Sequence, residues 1–279
     1  MLVYDVLRVA EQAGHEVLAI DLPELDITDG NAVLAYFDRH IPEAVINCAA
    51  WTDVDAAESS PEAAHAVNAF GADVLATAAA HHAAPLLHIS TDYVFPGQAP
   101  LGREGKPRAY VESDSTGPLS VYGKTKLEGE QAVLAGSRRN TVVRSAWLFG
   151  VHGRNFVDTM LRLASERDSV QVVDDQIGSP TWTGHLAPAL VGMLEREVRG
   201  LVHLAASGSV SWNGFAKEIF RQAEVDCGVE PATSAQMARP APRPAFSVLG
   251  SERPDVLPMP DWRDGLAGYL AARAGLTRA

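Results

Sequence analysis

Leu86-Leu-His-Ile-Ser-Thr-Asp-Tyr-Val-Phe95 opens as a short apolar run and turns polar at Ser90-Thr91-Asp92, directly after a long alanine-rich stretch over residues 61–82. The alanine-rich stretch reads as a helix, and Pro61 suits its first turn because proline lacks the N–H that a helix start leaves unsatisfied. Residues 86–90 then read as a buried strand. The same order of helix and strand recurs outward from this point. Upstream, a periodic apolar pattern over 5–13 closes at Gly14 and leads into Glu16-Val-Leu-Ala-Ile20, and Ala44-Val-Ile-Asn47 forms a further short apolar run. Downstream, strands are expected at 140–144 and 170–173.

Strands alternating with helices predict α/β architecture, a Rossmann-type doubly wound parallel sheet. Ligands of such open sheets bind outside the carboxyl ends of the strands, which puts Ser90, Thr91 and Asp92 on the functional edge. After Trp147 the pattern changes, with helices near 155–167, 185–196 and 212–223. We therefore expect a dinucleotide-binding domain over 1–146 and a smaller α/β domain over 147–279 that mainly binds substrate and returns strands to the main sheet. Residues 96–118 shift to Gly, Pro and polar side chains, a surface excursion in a position to act as a lid. Arg239-Pro-Ala-Pro-Arg-Pro244 reads as a linker or extended surface segment.

Composition narrows the partners. The 279 residues carry 47% hydrophobic side chains and a net charge of −12. That charge leaves no basic stripe to follow a phosphate backbone, so nucleic acid is not expected as a partner. Cys48 and Cys227 are far apart without metal-type spacing, which fits a reducing cytoplasm. No apolar run approaches the ~20 residues of a membrane span, and Met1 is followed by no signal-type segment. A cytoplasmic protein without membrane partners is expected. None of the nine histidines is assigned to a site, and His185 and the pair His81-His82 read as solvated or hydrogen-bonded helix histidines rather than ligands.

Tyr122-Gly-Lys-Thr-Lys126 is the sharpest chemical signal. Tyr and Lys four apart on a helix share a face. An ammonium beside a phenol favours phenolate, so Lys126 is expected to draw the Tyr122 pKa down towards neutrality for proton transfer. Thr91 at the strand end could hydrogen-bond a carbonyl oxygen beside Tyr122, completing a Thr-Tyr-Lys constellation. Asp21 follows the 16–20 run where a Rossmann fold places an acid on the adenosine ribose, a carboxylate that would favour NADH over a 2′-phosphate. Asp26-Ile27 and Asn47-Cys-Ala-Ala-Trp-Thr52 follow strands on the same edge, and small Ala49 and Ala50 would let a dinucleotide approach closely.

These segments resemble the dTDP-4-dehydrorhamnose reductase family of extended short-chain dehydrogenases/reductases, and the resemblance runs almost the length of the chain. It is carried by Ser90-Thr-Asp-Tyr-Val-Phe95 and Val173-Asp-Asp-Gln-Ile-Gly-Ser-Pro-Thr181, together with Asp53-Val-Asp-Ala-Ala-Glu-Ser59, Pro118-Leu-Ser-Val-Tyr-Gly-Lys-Thr-Lys126, Arg144-Ser-Ala-Trp147 and Arg243-Pro244. The resemblance implies that Tyr122 donates the proton, Lys126 orients the nicotinamide ribose, and Thr91 bonds the reacting oxygen. It further implies that Asp92 and Trp147 contact the sugar nucleotide. Cofactor contacts would come from Met1, Leu2, Asp21, Asp26, Ile27, Ala50, Trp51 and Thr52. The implied reaction is NADPH- or NADH-dependent reduction of the C4 carbonyl of dTDP-4-dehydro-L-rhamnose by a monomer or homodimer. Some members use Mg2+, but no carboxylate cluster in this sequence supports it.

The sequence departs from the family at its beginning. Members open with a strand and a Gly-x-x-Gly-x-x-Gly loop that meets the pyrophosphate, whereas Met1-Leu-Val-Tyr-Asp5 aligns with the end of that loop and Val3 stands at its third glycine. We expect the first strand of the sheet to be missing and Met1 to be a displaced start. Two alternatives are carried forward: a non-catalytic binding or regulatory subunit of the same superfamily, and a reductase or epimerase of another nucleotide sugar.

Overall fold

A parallel strand covered by helices on both faces needs apolar side chains on both, and two runs of this chain meet that demand. Leu86–Thr91 and Thr141–Ser145 lie side by side at the centre of a four-stranded parallel sheet, with Val45–Asn47 outside the first and Gly200–His203 outside the second. The computed structural model describes residues 1–276. On one face, Leu87, Val143 and Val202 pack against Leu2, Val6 and Ala10 of helix Leu2–Gln12 and against Leu186 and Leu190 of helix Thr183–Glu195. On the other, Leu86 and Val142 meet Val33, Phe37, Leu75, Ala79 and Val133 from helices Gly30–His40, Gly71–His81 and Val121–Gly136.

Two expectations about strands change. Residues 16–20 join no sheet and are largely exposed. A parallel strand exists only through a bonded neighbour, and among the described residues nothing pairs with the far side of Val45–Asn47. The run at 170–173 does form, as Ser169–Val173, but it pairs with Gly228–Ala232 outside the central sheet, where Gly200–His203 takes the fourth place. A second core of Phe149, Phe215, Ile219, Trp262 and Tyr269 fills the region beyond Trp147.

The segment 96–118 is pinned rather than loose. Tyr110 is buried and stacks on Phe95 at 4.0 Å, and Glu112 accepts from His203 N at 2.8 Å and Ser251 Oγ at 2.6 Å. The proline-rich segment is likewise clipped down: Arg239 and Arg243 both bond the Asp55 carboxylate, at 2.6 and 3.0 Å. Those hydrogen bonds overcome partial burial and hold the Asp55 carboxyl well below the usual carboxylate range.

Beneath the sheet edge lies a buried ion pair. Arg144 bonds Glu130 through Nε at 2.9 Å and Nη2 at 2.7 Å, while Ser90 Oγ donates to Glu130 at 2.5 Å. The pair joins helix Val121–Gly136 to both central strands. That helix can come close because Gly123 and Gly129 present no side chain: a Cβ at either would collide with the carbonyl of Tyr93 or Asn68.

Removing one partner of a buried pair strands the other charge away from water. Arg144→Met should therefore lower the unfolding free energy by about 3–5 kcal/mol, read from the urea midpoint, and the double variant with Glu130→Gln should recover part of that loss.

Candidate active site

The chain reverses from strand to helix around the carboxyl end of Leu86–Thr91. Thr91 Oγ1 accepts from Tyr93 N at 3.2 Å and donates to Asp92 Oδ1 at 3.1 Å, so the hydroxyl is fixed by its own turn. The helix bearing Tyr122 starts at Ser120, whose hydroxyl accepts from Gly123 N at 3.1 Å, and Glu58 Oε1 accepts from Val121 N at 2.8 Å. Caps of this kind fix the first turn, and with it the direction of Tyr122.

Tyr122 and Thr91 meet. Burial pushes the Tyr122 phenol up to about 12, against a hydrogen bond with Thr91 that pulls it down and the nearby Asp92 that pushes it further up. The expected lowering by Lys126 is not found. Lys126 Nζ is turned instead to the Ile89 carbonyl, at 2.7 Å, and to His88 Nε2, at 3.2 Å. Lys126 is itself buried, which brings it down to about 8, while Glu130 and Cys48 push it back up.

Asp92 is a buried carboxyl whose Oδ2 has no hydrogen-bond partner. Burial raises it to about 6, tempered by hydrogen bonds from Ser247 and Thr91. An acceptor in this state suits a ligand hydroxyl. Trp147 follows the neighbouring strand Thr141–Ser145 and has a left-handed φ of +49°, rare for so large a residue. Its indole lies parallel to that of Trp212, with centroids 3.6 Å apart, and covers Gly178, where a Cβ would strike the ring.

The segment after Val45–Asn47 reaches the same edge. Trp51 N donates to Asn68 Oδ1 at 2.8 Å, and Asn68 Nδ2 donates back to Trp51 O and across to Thr125 Oγ1 at 3.1 Å. Asn68 sits in the π-helical turn Ala66–Phe70 that interrupts the long helix, a distortion that often marks functional positions. Ala50 is half-buried and Thr52 exposed beside this anchor. Of the other expected cofactor residues, Asp21 and Asp26 are exposed, each closing its own turn by accepting from Leu22 N or Thr28 N. Ile27 packs beside Gly71. The Leu2 side chain belongs to the core, so only its backbone is available to a ligand, and Met1 lies against Gly150 and Gly153.

Asn68, Trp212, Glu58 and the Asp55 clip were not singled out from the sequence. Asn68 carried a usable signal, a lone amide inside an alanine-rich helix, and Trp212 directly follows the capping Ser211. Asp38, His81 and His82 bring three donor atoms within 4.8 Å of one another, at the amino edge of the sheet away from Thr91.

A parallel sheet with Thr, Tyr and Lys gathered at its carboxyl edge defines an extended short-chain dehydrogenase/reductase. A family model described as RmlD substrate binding domain matches residues 1–274. A Mycolicibacterium smegmatis protein named dTDP-4-dehydrorhamnose reductase is 45% identical over 96% of this chain and 83% of its own. A Streptomyces antibioticus protein, a probable dTDP-4,6-dihydroxy-2-methyloxan-3-one 4-ketoreductase, is 43% identical over 94% and 88%. The crystal structure of dTDP-4-dehydrorhamnose reductase from Bacillus anthracis in complex with NADP superposes with a TM-score of 0.92 at 34% identity, covering 97% of this chain and 95% of that one. The chain belongs to the dTDP-4-dehydrorhamnose reductase family.

The raised carboxyl of Asp92 has a consequence for stability. It holds its proton more tightly in the fold, at about 6, than at its ordinary 3.8. Its contribution is therefore fully present below pH 3.8 and is lost as the pH rises through 6. Asp92→Asn removes this loss. Relative to the parent, the variant should gain about 3 kcal/mol on going from acid to alkaline pH in urea unfolding, and an equal effect at both ends would contradict the assignment.

Proposed function

We propose that this chain reduces the C4 carbonyl of dTDP-4-dehydro-L-rhamnose to dTDP-L-rhamnose with NADPH or NADH, in the route to dTDP-rhamnose and cell-surface polysaccharide. The observation that carries the reading is the convergence of Thr91, Tyr122 and Lys126 at one strand end, beside a buried carboxylate oxygen with no partner.

A carbonyl reduction needs an acid that still holds its proton at working pH. Tyr122, at about 12, does so. Its O–H bond breaks as the oxygen at C4 gathers charge, and the proton passes to that oxygen. Thr91 offers the same oxygen a hydrogen bond when its single O–H turns from Asp92 Oδ1 to the ligand, the turn holding the hydroxyl oxygen in place through Tyr93 N. Asp92 Oδ2 accepts from a sugar hydroxyl, and the Trp147 indole gives the sugar nucleotide a flat apolar wall. Segment 147–279 then serves mainly substrate and 1–146 mainly cofactor.

Bound NAD(P)H supplies the hydride. Residues of this chain fit its nicotinamide-ribose end: Lys126 is a buried donor beside Tyr122, and Ala50, Trp51 and Thr52 border the same edge. Asp21 and Asp26 would meet the adenosine ribose. At the pyrophosphate end, Met1 and Leu2 offer the start of a helix without a side-chain cap, whose first N–H groups lack intrahelical partners. The protein acts in the cytoplasm as a monomer or homodimer.

The likeness to the Streptomyces antibioticus 4-ketoreductase supports a second reading, the same chemistry on another dTDP-4-keto sugar. Comparing kcat/KM for the two sugars separates them. A purely binding subunit has no use for a protonated phenol aimed at a ligand site.

Cofactor oxidation on adding dTDP-4-dehydro-L-rhamnose is the direct test, and binding of both ligands without turnover would overturn the reading. Tyr122→Phe should lower kcat about 10²–10⁴-fold and leave sugar-nucleotide affinity within a few-fold by calorimetry. Lys126→Met should weaken cofactor affinity and turnover together; unchanged cofactor affinity would remove Lys126 from the ribose.

A further inference from the structure

Lys126 is reached from behind by a chain of hydrogen bonds that the roles above leave unused. Ala49 N donates to Asn47 Oδ1 at 2.9 Å, which leaves Asn47 Nδ2 to face His88 Nδ1 at 2.9 Å. All the side chains in this line are buried. An amide nitrogen can only donate, so His88 Nδ1 must accept, and a neutral imidazole then carries its hydrogen on Nε2. His88 is neutral, because burial and the neighbouring Lys126 hold it well below its ordinary range. Its Nε2–H points at Lys126 Nζ, 3.2 Å away.

We propose that His88, locked by Asn47 into the Nε2–H form, is a positioning residue that sets the protonation state of Lys126 and couples it to the Ala49–Trp51 backbone. A lysine amine accepts the imidazole N–H through its lone pair. A lysine ammonium in the same place sets hydrogen against hydrogen. Relief requires the imidazole hydrogen to move to Nδ1 and Asn47 to present its oxygen there, which releases Ala49 N. Proton uptake at Lys126 is thereby tied to the segment that borders the cofactor edge.

The other groups facing Lys126 do not provide this link. Glu130 is engaged by Arg144, burial keeps Cys48 a thiol with its pKa raised to about 11, and Tyr122 is protonated at working pH. The Ile89 carbonyl accepts from either form of the lysine.

The proposal rests on the reductase reading for the use of Lys126, but its test needs no turnover. Imidazole 15N shifts of His88 in the full chain report the tautomer directly. The expected result is the Nε2–H form at alkaline pH, with the Nδ1–H form growing as Lys126 gains its proton near pH 8. In Asn47→Asp the carboxylate would accept from Nδ1, and the Nδ1–H form should persist at every pH. In His88→Phe, binding of NADPH followed by fluorescence should keep its pH dependence but with the midpoint raised by about one unit. A tautomer that ignores pH in the parent, or a midpoint unmoved in His88→Phe, would overturn the proposal. Cofactor binding and tautomer change without sugar turnover would instead count against the reductase reading alone.

Discussion

Arg144 on Glu130 is the contact on which the rest of this molecule hangs. Glu130 comes from the helix of Tyr122, Arg144 from one central strand, and Ser90, from the other, donates to the same carboxylate. Arg144 continues to His203 on the fourth strand, at 3.3 Å, and lies 5.0 Å over the Phe95 ring. His203 in turn faces the carbonyls of Tyr110 and Gly250. A charge this deep is costly unless every hydrogen-bonding position is met. Meeting them here aligns three strands, one helix and two connecting segments, and the edge that presents Thr91 and Tyr122 inherits that alignment.

Much of this was legible because it is local. The run Leu86-Leu-His-Ile with its polar ending and the tyrosine and lysine four apart each obey rules that span a few residues. What escaped depends on partners distant in sequence. Glu16-Val-Leu-Ala-Ile20 has the pattern of a strand, but pattern alone bonds to nothing. The Tyr122 pKa was expected to fall because spacing puts Lys126 on the same face. Spacing does not say that the Lys126 nitrogen turns to Ile89 and His88. Nor does a proline-rich run announce that its arginines will find Asp55.

The Asp55 clip and Glu58 belong to one short helix, Val54–Ser59, which touches both parts of the site. Glu58 caps the Tyr122 helix, and Asp55 holds the segment carrying Arg239 and Arg243. The fold thereby uses six residues to fix the start of the Tyr122 helix and to fasten the proline-rich segment against the first half of the chain.

The indole pair of Trp147 and Trp212 bears on how such a sequence can drift. Trp147, with its unusual backbone, lies flat against Trp212, and Gly178 leaves the floor clear beneath. A smaller residue at either indole opens a void, and any side chain at Gly178 blocks the stack. Three positions scattered along the chain are therefore coupled through one contact, and a lineage that reshapes this surface has to change all three in concert.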